Sequence, residues 1–85
     1  MVAINRAVAV GRVWGPVEAL AALDVIAGDP RLADYQPYWA ARAELLARAG
    51  DAPAADRAYE RAIGLESDPA LRAFLQVRRA LAATP

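Results

Sequence analysis

The stretch Trp39-Ala40-Ala41-Arg42-Ala43-Glu44-Leu45-Leu46-Ala47-Arg48-Ala49-Gly50-Asp51-Ala52-Pro53-Ala54-Ala55-Asp56-Arg57-Ala58-Tyr59-Glu60-Arg61-Ala62 decides the fold. Its apolar residues fall at three- and four-residue steps on both sides of Gly50, which is the mark of two helices each presenting one face. Gly50-Asp51-Ala52-Pro53 supplies a helix-ending glycine and a proline suited to the first turn of the next helix. Ala43 and Ala55 are small where the two helices would cross. Trp39, Leu46 and Tyr59 are large enough to fill the space around that crossing.

Outward from this unit, the same punctuation recurs at Gly15-Pro16, at Gly28-Asp29-Pro30 and at Glu66-Ser67-Asp68-Pro69, where Asp68 is placed to cap a helix opened by Pro69. Five helical segments result, at about 2–13, 16–27, 35–49, 53–65 and 69–82. The third carries Tyr35, Tyr38, Trp39, Arg42, Leu45, Leu46 and Ala49 on one face. The fourth carries Ala55, Ala58, Tyr59, Ala62 and Ile63, and the fifth Leu71, Phe74, Leu75, Arg78 and Leu81. The first two are apolar on most sides, through Ile4, Val8, Val10, Val13, Val17, Leu20, Leu23 and Ile26, so they ask for neighbours on more than one side. No period-two run persists, so no strand is expected. Short links make successive helices antiparallel neighbours. The expected class is all-α, a row of helical hairpins ending in a closing helix, as a single domain over residues 1–85.

The spacing of Trp39, Ala43, Leu46, Gly50, Ala55, Tyr59 and Ala62 resembles the tetratricopeptide repeat. Two departures stand out. Arg42 holds a slot the pattern gives to leucine; its stem would pack while its guanidinium reaches Asp56 or Glu60. Pro69 comes two residues later than the closing proline of the pattern. A degenerate copy lies 35 residues upstream, with Ile4 matching Trp39, Val8 matching Ala43 and Gly15 matching Gly50. Past the turn, Ala19 and Leu23 take the places of Ala55 and Tyr59. An unrelated helical bundle is the competing reading.

Composition narrows the chemistry. Of 85 residues, 58% are hydrophobic, too many for a disordered chain, while so short a chain builds only a thin core. Ten arginines balance ten acids for a net charge of zero, without the basic excess of nucleic-acid-binding domains. Histidine, cysteine and lysine are absent, and the aliphatic hydroxyls are Ser67 and Thr84 alone. The usual nucleophiles and acid–base pairs are therefore missing, and no phosphate loop or metal-ligand spacing occurs. No enzymatic activity and no cofactor are expected. The apolar runs fall short of the roughly 20 residues that span a bilayer, and Met1 to Arg6 does not read as a signal peptide. A cytoplasmic location is the expectation, with neither membrane nor direct nucleic-acid contact.

Val2-Ala3-Ile4-Asn5-Arg6-Ala7-Val8-Ala9-Val10 resembles the start of the C-terminal extension of extracytoplasmic-function-type bacterial RNA polymerase sigma factors. The likeness continues through Gly15-Pro16, Ala40 to Leu46, Gly50, Arg57-Ala58-Tyr59, Ala62 and Arg72-Ala73-Phe74-Leu75. One departure is Trp14, where that family has an aspartate before the glycine. The resemblance implies a tetratricopeptide-like tail, either a C-terminal fragment of a larger factor or a tail encoded alone. Its role would be regulatory, through contact with the rest of the factor, the polymerase or another protein.

Candidate partner-binding residues follow from the expected hairpins, whose first helices line an inner side. Asn5, Ala9 and Arg12 would face inward from the first hairpin, and Ala40, Glu44 and Ala47 from the second, with Arg48 at the edge. Asn5 and Arg12 either hydrogen-bond a partner or serve as a local bridge and a solvated charge. Trp14, at a turn, is either an anchor or locally packed. Trp39 is expected in the core. Glu44 and Arg48 stand four apart, in the favourable order for a helical ion pair. Arg78 and Arg79 read as solvated cations complementing a helix C-terminus. A second function class is self-assembly, as a homodimer through the first helix, because Val2, Val10 and Val13 have no preceding helix to cover them.

Overall fold

In the computed structural model, which describes residues 2–83, the chain is helical throughout, with no strand among the described residues. The helices are α1 (Val2–Trp14), α2 (Pro16–Ile26), α3 (Gln36–Arg48), α4 (Ala52–Leu65) and α5 (Pro69–Ala83). A single 3₁₀ turn, Pro30–Leu32, lies between α2 and α3 and was not anticipated from the periodicity. Three residues are too few to show one. The side chain of Val2 and all of Met1, Thr84 and Pro85 lie outside the described residues.

The helix boundaries follow the punctuation. Gly15 and Gly50 take positive φ values of 97° and 89°, conformations that cost other residues heavily, and proline stands in the first turn of α2 and α4. Gly28 uses no such freedom; α2 ends instead on Ala27 in ordinary helical geometry. Asp51 caps α4 by accepting from the Ala54 amide at 3.2 Å, and Asp68 caps α5 by accepting from Ala70 at 2.9 Å.

Packing joins α1 to α2, α2 to α3, α3 to α4 and α4 to α5, and brings α1 beside α3. The result is a slab 31 × 29 × 18 Å across. Two buried clusters hold it together. One gathers Ile4, Ala7, Ala19, Leu23, Leu32, Tyr38 and Leu45; the other gathers Ala43, Ala55, Ala58, Tyr59, Ala62, Ile63 and Leu75. Ala43 and Ala55 are both fully buried, in the same cluster. Trp39 packs against both clusters, edge-on to Tyr38 with ring centres 5.1 Å apart, and its indole N–H donates to the Ala33 carbonyl at 3.0 Å.

Several expectations are corrected. The close approach of α1 and α2 is made at Gly11, not Val8: a methyl group added at Gly11 would sit 2.9 Å from the Ala19 Cβ, whereas Val8 is only half-buried. Arg42 does not reach Asp56 or Glu60. It donates to Asp24 of α2 at 3.0 Å, although it also borders Ala54, Arg57 and Ala58 of α4. Asp56 and Glu60 are taken by Arg79 of α5, at 2.7 and 3.0 Å to the first and 3.5 Å to the second. Arg78 reaches Glu44 of α3 at 3.7 Å. These two arginines thus bind α5 to its neighbours and are not solvated end charges, and the partner of Glu44 is Arg78 rather than Arg48. Of the stripe assigned to α5, Leu75 alone is buried; Leu71, Phe74 and Leu81 are 48, 59 and 63% exposed. Among the described residues, no helix packs over these side chains. Along the first helix, Val10 is half-buried while Val13 is open to solvent.

Candidate functional site

The exposed stripe of α5 forms one wall of a groove whose other wall is α3. Two adjoining cavities of about 330 and 200 Å³ make it up, and both are lined by Glu44, Tyr59 and Arg78. Ala40, Ala41 and Ala47 form the α3 wall, with Arg48 at its far end; Phe74, Leu75, Leu81 and Ala82 form the α5 wall. Tyr59 of α4 is the floor.

Each contribution has a local cause. Alanines on α3 keep its wall low, so the groove stays open between two helices that both rest on α4. Tyr59 is buried by the packing of α3 and α5, and that desolvation raises its phenol pKa, opposed in part by a hydrogen bond from the Arg78 guanidinium. The phenol is therefore a neutral group at neutral pH. Arg78 spans the groove to Glu44, with both side chains about half exposed. Arg48 has no ion pair among the described residues. The groove thus presents two guanidinium groups against one carboxylate, set among apolar side chains.

The Arg79 clasp keeps the α5 wall in place. Its guanidinium holds the Asp56 carboxyl below the ordinary range, chiefly through the hydrogen bond between them. Arg61 of α4 donates to the Ala33 carbonyl and to Asp34, both at 2.8 Å, and lies 6.0 Å from the Trp39 ring centre. That contact fixes the loop before α3. A larger depression of 440 Å³ is lined by Arg57, Glu60, Arg61 and Gly64, all of α4, and is the outer face of a single helix without a second wall.

Of the residues singled out from sequence, Glu44 and Arg48 meet in the groove, together with Ala40 and Ala47. Asn5, Arg12 and Trp14 are exposed on α1 and do not line it. Sequence reasoning missed Phe74, Arg78 and Leu81 as groove residues by assigning them to the core or to solvent. A signal was present: counting 34 residues on from Ala40, Glu44 and Ala47 lands on Phe74, Arg78 and Leu81. That count is the length of a tetratricopeptide unit and not the 35-residue offset of the upstream copy, so it had to come from the pattern rather than from this chain's own spacing.

Chemically, the arrangement offers apolar contact area and paired charges. Among the described residues, no cluster of ligating side chains could hold a metal ion, and no helix is long and apolar enough to cross a membrane. No protein-family model, no curated protein and no solved structure matches this chain.

Proposed function

We propose that this chain is a non-catalytic protein-interaction module, the tetratricopeptide-like regulatory tail of an extracytoplasmic-function-type sigma factor. The observation that carries the binding role is the groove between α3 and α5, which leaves Phe74 and Leu81 in water beside Arg48, Arg78 and Glu44. A short chain with a thin core has little reason to leave large apolar side chains uncovered on a groove wall unless a partner covers them. The tetratricopeptide reading draws support from parallel features of the two helix pairs. Gly15 and Gly50 both turn with positive φ, Ala19 and Ala55 are both fully buried after the turn, and Leu23 and Tyr59 are both buried one turn further on. The sigma-factor assignment is supported by the sequence resemblance alone.

Binding of the purified chain to bacterial RNA polymerase core, and to the promoter- and polymerase-binding regions of a sigma factor from the same host, tests the reading. Binding to one of them that is weakened tenfold or more by Phe74→Glu is the expected result. Binding to neither overturns the sigma-factor role, as does a native gene lacking those regions upstream of Met1.

A second reading, self-assembly through the first helix, is favoured by Val13, Trp14 and Val17 at the α1–α2 turn, which are 73, 72 and 66% exposed. Light scattering decides it: a monomer at millimolar concentration removes it, and a dimer abolished by Val13→Glu establishes it.

A further inference from the structure

We infer that the groove between α3 and α5 takes an amphipathic helix bearing acidic residues beside its apolar stripe. The inference rests on the groove being a partner site and adds what the partner must be.

Three observations point to this occupant. The first is backbone chemistry. An extended peptide buries amide and carbonyl groups that need partners. The groove's polar side chains are Glu44, Arg48, Tyr59 and Arg78, with no asparagine, glutamine, serine or threonine among them. The walls are helices whose backbone groups are bonded internally. A helical occupant brings its own backbone bonds and needs none from the walls.

The second is shape. Leu71, Phe74, Val77 and Leu81 are exposed at three- and four-residue steps along α5. They make a ridge of about 15 Å, or three helical turns, of which Phe74 and Leu81 line the groove itself while Leu71 and Val77 extend the apolar surface beyond it. Ala40, Ala41 and Ala47 leave a shallow wall opposite, which lets a helix approach closely, as ridge-into-groove packing requires.

The third is charge. Alongside the ridge, α5 carries arginine and no acid at all; the groove's one carboxylate, Glu44, is matched by Arg78, leaving Arg48 over. A second copy laid on this ridge through its own α5 would bring Arg72, Arg78 and Arg79 and no acid, so self-pairing sets like charge beside like charge and is disfavoured. A partner helix with Glu or Asp beside its stripe meets the excess charge.

The test uses two synthetic 18-residue amphipathic peptides with the same Leu/Ala stripe, one flanked by Glu and the other by Lys. Calorimetry at low salt is expected to show the Glu peptide binding at least tenfold tighter than the Lys peptide, with the gap narrowing as salt is raised. Amide shifts should centre on Ala40, Glu44, Phe74, Arg78 and Leu81. Phe74→Glu, or Leu81→Gln should that variant misfold, loses the Glu peptide, and Arg48→Glu reduces the preference between the two. Equal or tighter binding of the Lys peptide overturns the inference, as do shifts confined to α1 or a dimer that Phe74→Glu dissolves. If neither peptide binds while Phe74→Glu still abolishes binding to polymerase or sigma regions, the groove stands and the helical occupant falls. If Phe74→Glu leaves that binding unchanged, the groove reading itself fails.

Discussion

Gly11 and Gly64 are both helical glycines, yet their surroundings give them opposite signs on substitution. At Gly11 a methyl group would meet the Ala19 Cβ at 2.9 Å and the Leu45 side chain at 3.4 Å, so three helices converge where only a hydrogen fits. Gly11→Ala is expected to destabilise the fold by about 1–3 kcal/mol through overpacking, even against the gain in helix propensity. Gly64 faces open space, so Gly64→Ala is expected to stabilise by about 0.5–1 kcal/mol. Urea unfolding of the pair checks both; equal signs would contradict the packing described. Two carboxylates offer a comparable contrast. Asp29 is lowered to about 2 by hydrogen bonds from Arg31, only two residues away, a contact the unfolded chain retains in part. Asp56 is lowered by Arg79, 23 residues on, a contact that unfolding destroys. A carboxylate depressed by folding stabilises above its unfolded pKa and loses that contribution as pH falls through the folded value. Stability should therefore decline below about pH 4. Asp56→Asn should flatten the acid decline more than Asp29→Asn, as melting temperatures at pH 7 and pH 3 will show.

At the scale of helices, α4 is the element on which the second half of the molecule is built. Ala55, Ala58, Tyr59, Ala62 and Ile63 are all buried between α3 and α5. Ala55→Leu would force α3 away from α4 and is expected to cost about 1–3 kcal/mol or more. Leu23, the largest anchor of α2 and fully buried, should cost about 2–5 kcal/mol on truncation to Ala. The closing helix behaves differently. It buries Leu75 and is held through Arg78 and Arg79, while Phe74, Val77 and Leu81 stay in water. Phe74→Ser and Leu81→Ser should leave unfolding free energy within about 0.5 kcal/mol of the parent. A large loss would mean that these side chains belong to the core.

Over the whole molecule, the two buried clusters meet at Trp39, so the halves should unfold together. Trp39→Ala is expected to lower stability by about 3–5 kcal/mol and to broaden the transition, seen as different midpoints for near- and far-ultraviolet dichroism. Coincident midpoints with a small loss would show that the halves communicate through α2 and α3 packing instead. The groove lies in one half only, against α3, α4 and α5, so variants of α1 such as Asn5→Ala and Arg12→Ala are expected to leave binding there unaltered.

What the linear chain determined is local. Proline and glycine positions set five helices to within a few residues, since these residues act on their own backbone. Period also sufficed for the buried face of α4, because a helix enclosed on both sides must bury every member of its stripe. Two kinds of fact needed the tertiary structure. Partners of long charged side chains depend on which helix lies within reach, so Arg42 met Asp24 and Arg79 met Asp56 against simple expectation. Exposure of the α5 stripe depends on whether a further helix covers it; an apolar stripe reads the same from sequence whether it faces a core or waits for another chain.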